Sequence, residues 1–381
     1  MASKIPLDNV CEKKIETLSS QYDGEIEYVD ISSIDNNEKI ISNTQIINAK
    51  EAPSRAKQLV KIGDVLVSTV RPNLNAVAMI KKESNLILVA STGYCVLRCN
   101  GKVDNHYIFY FCQSPYFIDN MVRQATGASY PAVSNFIVKS CLFPAHNLKH
   151  QREIASILDK LRDLIFLRKQ QLAKLDELVK ARFVEMFGDS TTNSKELKIV
   201  RLSEIAEYFN GLTYRPENVS DVGTIVLRSS NIQGNQLDFA DTVRVNCQIK
   251  ERLFIKENDI LMCSRNGSAR LVGKVALIKG LNEPMSFGAF MMIIRSQYYP
   301  YLMTYFQTDD FRRQIKTGAT TTINQVTGRM LDEVELPVPE LGDMTAFATF
   351  TEKIFRQKLT IQQSLDKLEV LRKSLMQEYF G

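Results

Sequence analysis

Hydrophobic positions along the chain follow two different periods. After Pro144, apolar residues stand at Ile154, Leu158, Leu161, Ile165, Leu172, Leu175, Val179 and Met186, the three-and-four spacing of a heptad seam. Near the other end Phe347, Ile354, Ile361, Leu368 and Leu375 recur every seven residues. Both segments predict long helices, with Asn147 and Asp343 as N-caps and Gly188 and Gly381 just past the last turns. A helix over 148–187 would run about 60 Å at about 1.5 Å per residue, more than one small globule can bury. The equivalent second helix can cover its stripe, and because the chain must return between them an antiparallel pair is the simplest arrangement. The stretches before each helix read differently. Short β-favouring runs such as 64–69, 86–90 and 94–98 alternate with turn residues. Helical patches at 105–124 and 299–316 interrupt them, which predicts α+β globules.

The same series of residues occurs twice. Val60-Lys61-Ile62-Gly63-Asp64-Val65-Leu66 matches Ile255-Lys256-Glu257-Asn258-Asp259-Ile260-Leu261, and an arginine follows each, Arg71 and Arg265. Thr126-Gly127-Ala128-Ser129 matches Thr317-Gly318-Ala319-Thr320, and the helical segments align through Phe187-Gly188 and Phe380-Gly381. A duplication of this length changes the reading of the entire fold. It divides the chain into a globule at 1–143, a helical spacer at 144–188, a second globule at 189–336 and a second spacer at 337–381.

Composition narrows the class. Of 381 residues, 44% are hydrophobic and 24% charged, the balance of a globular protein with more than one core. No apolar run approaches the roughly 18 residues of a membrane span. Met1-Ala2-Ser3-Lys4-Ile5-Pro6 has no apolar signal core, so the expected location is the cytoplasm. Seven cysteines without a C-x-x-C pair fit a reducing compartment. The net charge of +5 permits a polyanionic partner without demanding one. Cys141, His146 and His150 have a spacing worth testing as a metal site, but Pro144 and the lack of a fourth ligand speak against it, and no metal is expected.

Catalytic motifs are missing. There is no G-x-x-x-x-G-K-[ST] phosphate loop, no G-x-G-x-x-G turn, and no Pro-Pro dipeptide of the kind a base-holding methyltransferase loop needs. Three histidines give a Ser-His-Asp site little support. Asp189, Glu196 and Lys198 echo a nuclease string, but within a polar linker. No catalytic residue is assigned. Binding chemistry remains. Arg71, Asn73 and Asn75 in one copy, and Arg265, Asn266, Ser268 and Arg270 in the other, occupy equivalent turns after a strand. Arginine grips guanine O6/N7 with two donors and asparagine does the same at adenine N6/N7. Exposed turns collect polar residues anyway, so recurrence in both copies is what favours readout. Ser129 and Tyr130, with Thr320, Thr321 and Thr322 in the second copy, form small hydroxylated loops able to approach a phosphate backbone.

The order globule, long helix, globule, long helix closely resembles the DNA-specificity subunit of type I restriction-modification systems. The likeness covers essentially the entire chain. It rests on the Lys-x-Gly/Asn-Asp-Val/Ile-Leu strings at 61–66 and 256–261, the Thr-Gly-Ala-[Ser/Thr] loops at 126–129 and 317–320, and Leu336-Pro337-Val338-Pro339-Glu340-Leu341 leading into a coiled coil. Phe143-Pro144-Ala145-His146 departs from that last string. The resemblance implies two α/β target-recognition globules separated by antiparallel coiled-coil helices with pseudo-two-fold symmetry, and a bipartite double-stranded DNA target. It implies a non-catalytic subunit that docks two modification subunits and, in a full complex, restriction subunits. No cofactor is expected on the chain itself, S-adenosylmethionine and ATP being expected on those partners. The competing class is a coiled-coil adaptor whose globules bind protein. A self-contained restriction or methylation enzyme is disfavoured by the motif search.

Overall fold

A computed structural model of the protein describes residues 3–316 and 324–381. The chain forms two compact units, residues 1–169 with 362–381, and residues 170–361. The boundary cuts both long helices, so each unit consists of one globule and one segment of each helix.

In the first unit a four-stranded sheet orders Gln45–Asn48, Glu25–Val29, Ile87–Ser91 and Ala56–Leu59. Glu25–Val29 and Ile87–Ser91 run parallel, and the other pairings are antiparallel. A second sheet places Val65–Ser68 between Tyr94–Leu97 and Val77–Met79. Val65, Leu66 and Val67 are all buried, since this strand is covered on both faces and a continuous apolar run is what such a position selects. The ends of the globule meet where Lys4–Pro6 pairs with Leu142–Pro144, directly before the first long helix.

The second unit repeats this plan. Thr224–Leu227 runs parallel to Met285–Phe287, and Ile260–Cys263 lies between Val275–Leu277 and Met291–Arg295. Lys198–Arg201 pairs with Glu335–Val338 ahead of the second long helix. The fold is therefore α+β and duplicated, as the residue pattern predicts.

Both long helices are 40 residues, Leu148–Phe187 and Leu341–Phe380. In the first unit Ile154 and Leu158 of the first helix share a core with Met376 and Phe380 of the second. In the second unit Phe183 and Phe187 share a core with Met344 and Phe347. Within each unit, then, one helix's beginning lies beside the other's end, and the pair is antiparallel. Asn147 caps as expected, its Oδ1 accepting the His150 amide at 2.9 Å. Gly188 takes φ 75°, and its amide donates to the Val184 carbonyl at 2.8 Å. Asp343 does not cap. The second helix begins two residues earlier, at Leu341, and Asp343 lies in its first turn, where a carboxylate still suits the positive end of the helix dipole.

The helical patches of the globules are each broken in two. Asn105–Phe111 and Pro115–Gln124 are separate helices, because Pro115 has no amide to continue the first and Ser114 caps the second. Tyr299–Tyr305 and Asp309–Lys316 divide likewise, with the Thr308 hydroxyl accepting the Phe311 amide at 3.3 Å. No helix among the described residues is long and apolar enough to cross a membrane, and none of their His, Cys, Asp and Glu side chains group to hold a metal.

Candidate nucleic-acid interface

An ion pair to a buried aspartate fixes the strand that leads into each arginine turn. Asp64 Oδ2 accepts the Lys61 amide at 2.9 Å, while Arg98 grips the carboxylate with Nε at 2.9 Å and an Nη at 2.7 Å. In the second unit Asp259 accepts the Lys256 amide at 2.8 Å and is gripped by Arg295 with both contacts at 2.7 Å. The residue before each aspartate, Gly63 or Asn258, has φ 87° or 70°, a left-handed conformation that glycine and asparagine tolerate. The repeated Lys-x-Gly/Asn-Asp string is thus a structural clamp.

Past the strand in the first unit, the Arg71 amide donates to the Pro131 carbonyl at 2.7 Å and the Val133 amide to the Thr69 carbonyl at 2.9 Å. These bonds hold the loop that follows Thr126 against the arginine turn. Gly127 permits the loop to fold back: at φ 105° a Cβ there would lie 2.9 Å from the Tyr130 carbonyl oxygen. The Arg71 guanidinium consequently sits 4.7 Å from the centre of the Tyr130 ring, and both side chains are exposed. Stacking fixes the direction of the cation without consuming its donors.

Asn73 and Ser129 are exposed beside this pair. Asn75 is not part of it. Its side chain is buried and donates to the Cys112 carbonyl at 2.8 Å, and its own carbonyl accepts from Lys39 Nζ. With φ 46° it closes the short 3-10 turn Pro72–Leu74. Its role is to hold the turn, which corrects its expected place among base-reading residues.

The second unit builds the same corner with different chemistry. The Val326 amide donates to the Ser264 carbonyl at 2.7 Å, the counterpart of the bond from Val133 to Thr69. Arg265 lies 5.7 Å from the ring centre of Phe290 and donates to Gln325 Oε1 at 2.8 Å. Asn266 is half-buried, donates to Ser229 Oγ at 3.2 Å and accepts the Ser268 amide at 3.0 Å. It shapes the turn more than it projects from it. Ser268 and Arg270 are exposed. A hollow of about 630 Å³ opens beside Phe290, lined in part by Tyr214, Arg228, Ser229 and Asp241. Thr320, Thr321 and Thr322 lie outside the described residues.

Several residues at these corners were not singled out from sequence. Phe290 is 59% exposed, and Phe136, on the short helix after the Tyr130 loop, is 78% exposed. Arg329 stands exposed on the equivalent helix of the second unit. No cue in the sequence marks them, because Phe136, Phe290 and Arg329 lie far along the chain from Arg71 and Arg265.

The model of one protein family, described as the type I restriction modification DNA specificity domain, matches this chain twice, over residues 4–177 and 194–370. The chain belongs to the type I DNA specificity family. Among relatives, the type I restriction enzyme StySPI specificity subunit of Salmonella potsdam is 25% identical over 185 residues, covering 46% of this chain and 40% of that protein. The MjaVIII specificity subunit of Methanocaldococcus jannaschii is 20% identical over 339 residues, covering 84% of this chain and 78% of that protein. In fold, the chain is similar to the S subunit of the type I restriction-modification system from M. genitalium, with a TM-score of 0.59, 14% identity and coverage of 100% and 96%. A structure of a type I restriction-modification assembly gives a TM-score of 0.58 at 20% identity, covering 99% and 97%. The family description favours DNA recognition over the protein-adaptor alternative. The two family matches also agree with the internal duplication.

Proposed function

We propose that the chain is the sequence-specific DNA-binding subunit of a type I restriction-modification system, and that each unit reads one half of a bipartite target. One observation carries this reading: after the same clamped strand each copy of the family domain presents an exposed arginine near an aromatic ring, Arg71 on Tyr130 and, one register position earlier and with a ring from a different segment, Arg265 near Phe290. The Arg71 guanidinium, held in a fixed direction with its donors free, suits bidentate contact to guanine, Arg265 shares one of its donors with Gln325, and the exposed rings suit contact with base methyls or unstacked bases. The two corners differ in their other side chains, so the half-sites should differ.

On this reading the chain is not an enzyme and carries no cofactor. Its partners are double-stranded DNA and two modification subunits that methylate adenine with S-adenosylmethionine. Restriction subunits that consume ATP join the full complex, and the assembly works in the cytoplasm.

The test is methyl transfer by purified components. The chain alone transfers no methyl group from S-adenosylmethionine to DNA and hydrolyses no ATP, and adding its modification subunit creates sequence-dependent methylation. Methylation by a preparation of this chain shown to be free of partner would overturn the assignment.

A further inference from the structure

The first unit contains a concave site lined in part by Asn75, the buried residue that closes its arginine turn. A cavity of about 580 Å³ opens between the hairpin of Ile34–Asp35 and Ile40–Ile41 and the segments of the two long helices that belong to this unit. Lys39 faces it from the hairpin, Arg162 and Lys169 from the first helix, and Arg372 and Lys373 from the second. Some of this charge is already matched. Lys169 pairs with Glu38 at 2.9 Å, and Arg162 pairs with Asp159 at 3.0 Å and Asp163 at 2.9 Å. Lys39, Arg372 and Lys373 are different. Lys39 donates only to the neutral carbonyl of Asn75, and among the described residues Arg372 and Lys373 have no ion pair. Glu369 is the one remaining carboxylate in the lining. Burial, with Arg372 next in effect, pushes the Lys39 ammonium down to about 8 against the opposing carboxylate of Asp35. Arg372 and Lys373 are exposed at the mouth of the cleft while Lys39 lies half-buried without an ion pair, and cations gathered this way, one of them at a cost to the folded state, point to a ligand that compensates them.

The duplication supplies a control. The second unit has the same cleft, about 260 Å³, between its own hairpin and its own helix segments. There the position of Arg372 is Val179, that of Arg162 is Phe355 and that of Lys39 is Asn235. Lys358 in that cleft is neutralised by Asp176 at 2.7 Å. Lys373 keeps a lysine counterpart there, Lys180, so the fold needs the cleft but not the charges of Lys39, Arg162 and Arg372.

We propose that the cleft of the first unit binds a small phosphate-bearing anion, held by Lys39, Arg372 and Lys373. Its volume lies within the usual range for small-ligand sites, and cations arriving from a hairpin and a helix surround a phosphate better than one surface could. The inference goes beyond DNA recognition by the arginine turns and does not depend on it.

Calorimetry on the full chain with inorganic diphosphate, in chloride buffer of matched ionic strength, tests the proposal. The expected result is saturable one-to-one binding that Arg372→Val weakens by about tenfold or more. Valine occupies the equivalent place in the second unit, so this variant should fold, which circular dichroism checks. Lys39→Met should weaken binding similarly, whereas Lys358→Met in the other cleft should leave it unchanged. No saturable binding, or binding equal in wild type and Arg372→Val, overturns the proposal. Salt-dependent duplex binding that Arg372→Val weakens alike for all sequences, without any diphosphate binding, would assign these cations to the DNA backbone and also overturn it.

Discussion

Arg71 and Arg265 carry the most specific expectation at the residue scale. If each reads a base, Arg71→Ala or Arg265→Ala costs about 1–3 kcal/mol of specific binding and relaxes discrimination in one half-site only. Equilibrium binding of the assembled complex to duplexes altered in one half at a time checks this. Uniform weakening with a salt slope smaller by about one would make them phosphate contacts instead. Asn75 should behave otherwise, because its amide is spent on the Cys112 carbonyl. Asn75→Ala leaves that acceptor unsatisfied and should lower stability by about 1–3 kcal/mol in denaturant unfolding. An Asn75→Ala protein with unchanged stability and altered base preference would return Asn75 to the reading set. Lys39 supplies a pH test. Its ammonium titrates near 8 in the folded chain, below the ordinary 10.5, so between these values the unfolded chain holds more protons and stability rises with pH. Buried cysteines and tyrosines, held above their ordinary values, lower stability over the same range in both proteins, so thermal unfolding from pH 7.5 to 10.5 should show wild type gaining stability relative to Lys39→Met as pH rises.

At the scale of elements, the long helices were legible because their seven-residue repeat is a direct consequence of packing one helix stripe against another. The duplicated Phe-Gly ends show the same logic. Phe187 and Phe380 are 2% and 1% exposed, and each packs on a tyrosine of the globule in its unit, Phe187 at 5.2 Å from Tyr301 and Phe380 at 5.1 Å from Tyr107. Phe187→Ala or Phe380→Ala should therefore cost about 3–5 kcal/mol, measured by urea unfolding. A loss below about 1 kcal/mol would mean that the helix ends do not anchor the globules, since so small a change is typical of surface sites. What the pattern did not disclose was local and chemical. The break at Ser114-Pro115 was visible as residue types, yet an apolar run on either side argued for one helix. The roles of Asp64 and Asp259 depend on Arg98 and Arg295, distant in sequence, and only the fold brings those side chains together. Burial of Asn75 depends likewise on Cys112. Residue types place Tyr130 in a loop able to approach a phosphate backbone, and its stacking under Arg71 follows from the bond between the Arg71 amide and the Pro131 carbonyl, which only the fold discloses.

For the molecule as a whole, the central claim is that two copies of one specificity domain read two separate halves of a DNA target. Each unit has its own buried cores, in the first around Tyr107 and Tyr94 and in the second around Tyr301 and Phe287, those of Tyr107 and Tyr301 being completed by the helix segments of the same unit, and modules with separate cores can be exchanged. The most direct measurement is the methylated sequence motif in DNA from cells that express this chain with its modification subunit. It should be compared with the motif from a chimera whose residues 198–336 come from another member of the family. The account predicts a bipartite motif for the natural chain, and for the chimera a motif in which one half is replaced and the other half is retained. A folded, active chimera in which both halves change together, or neither does, would contradict it.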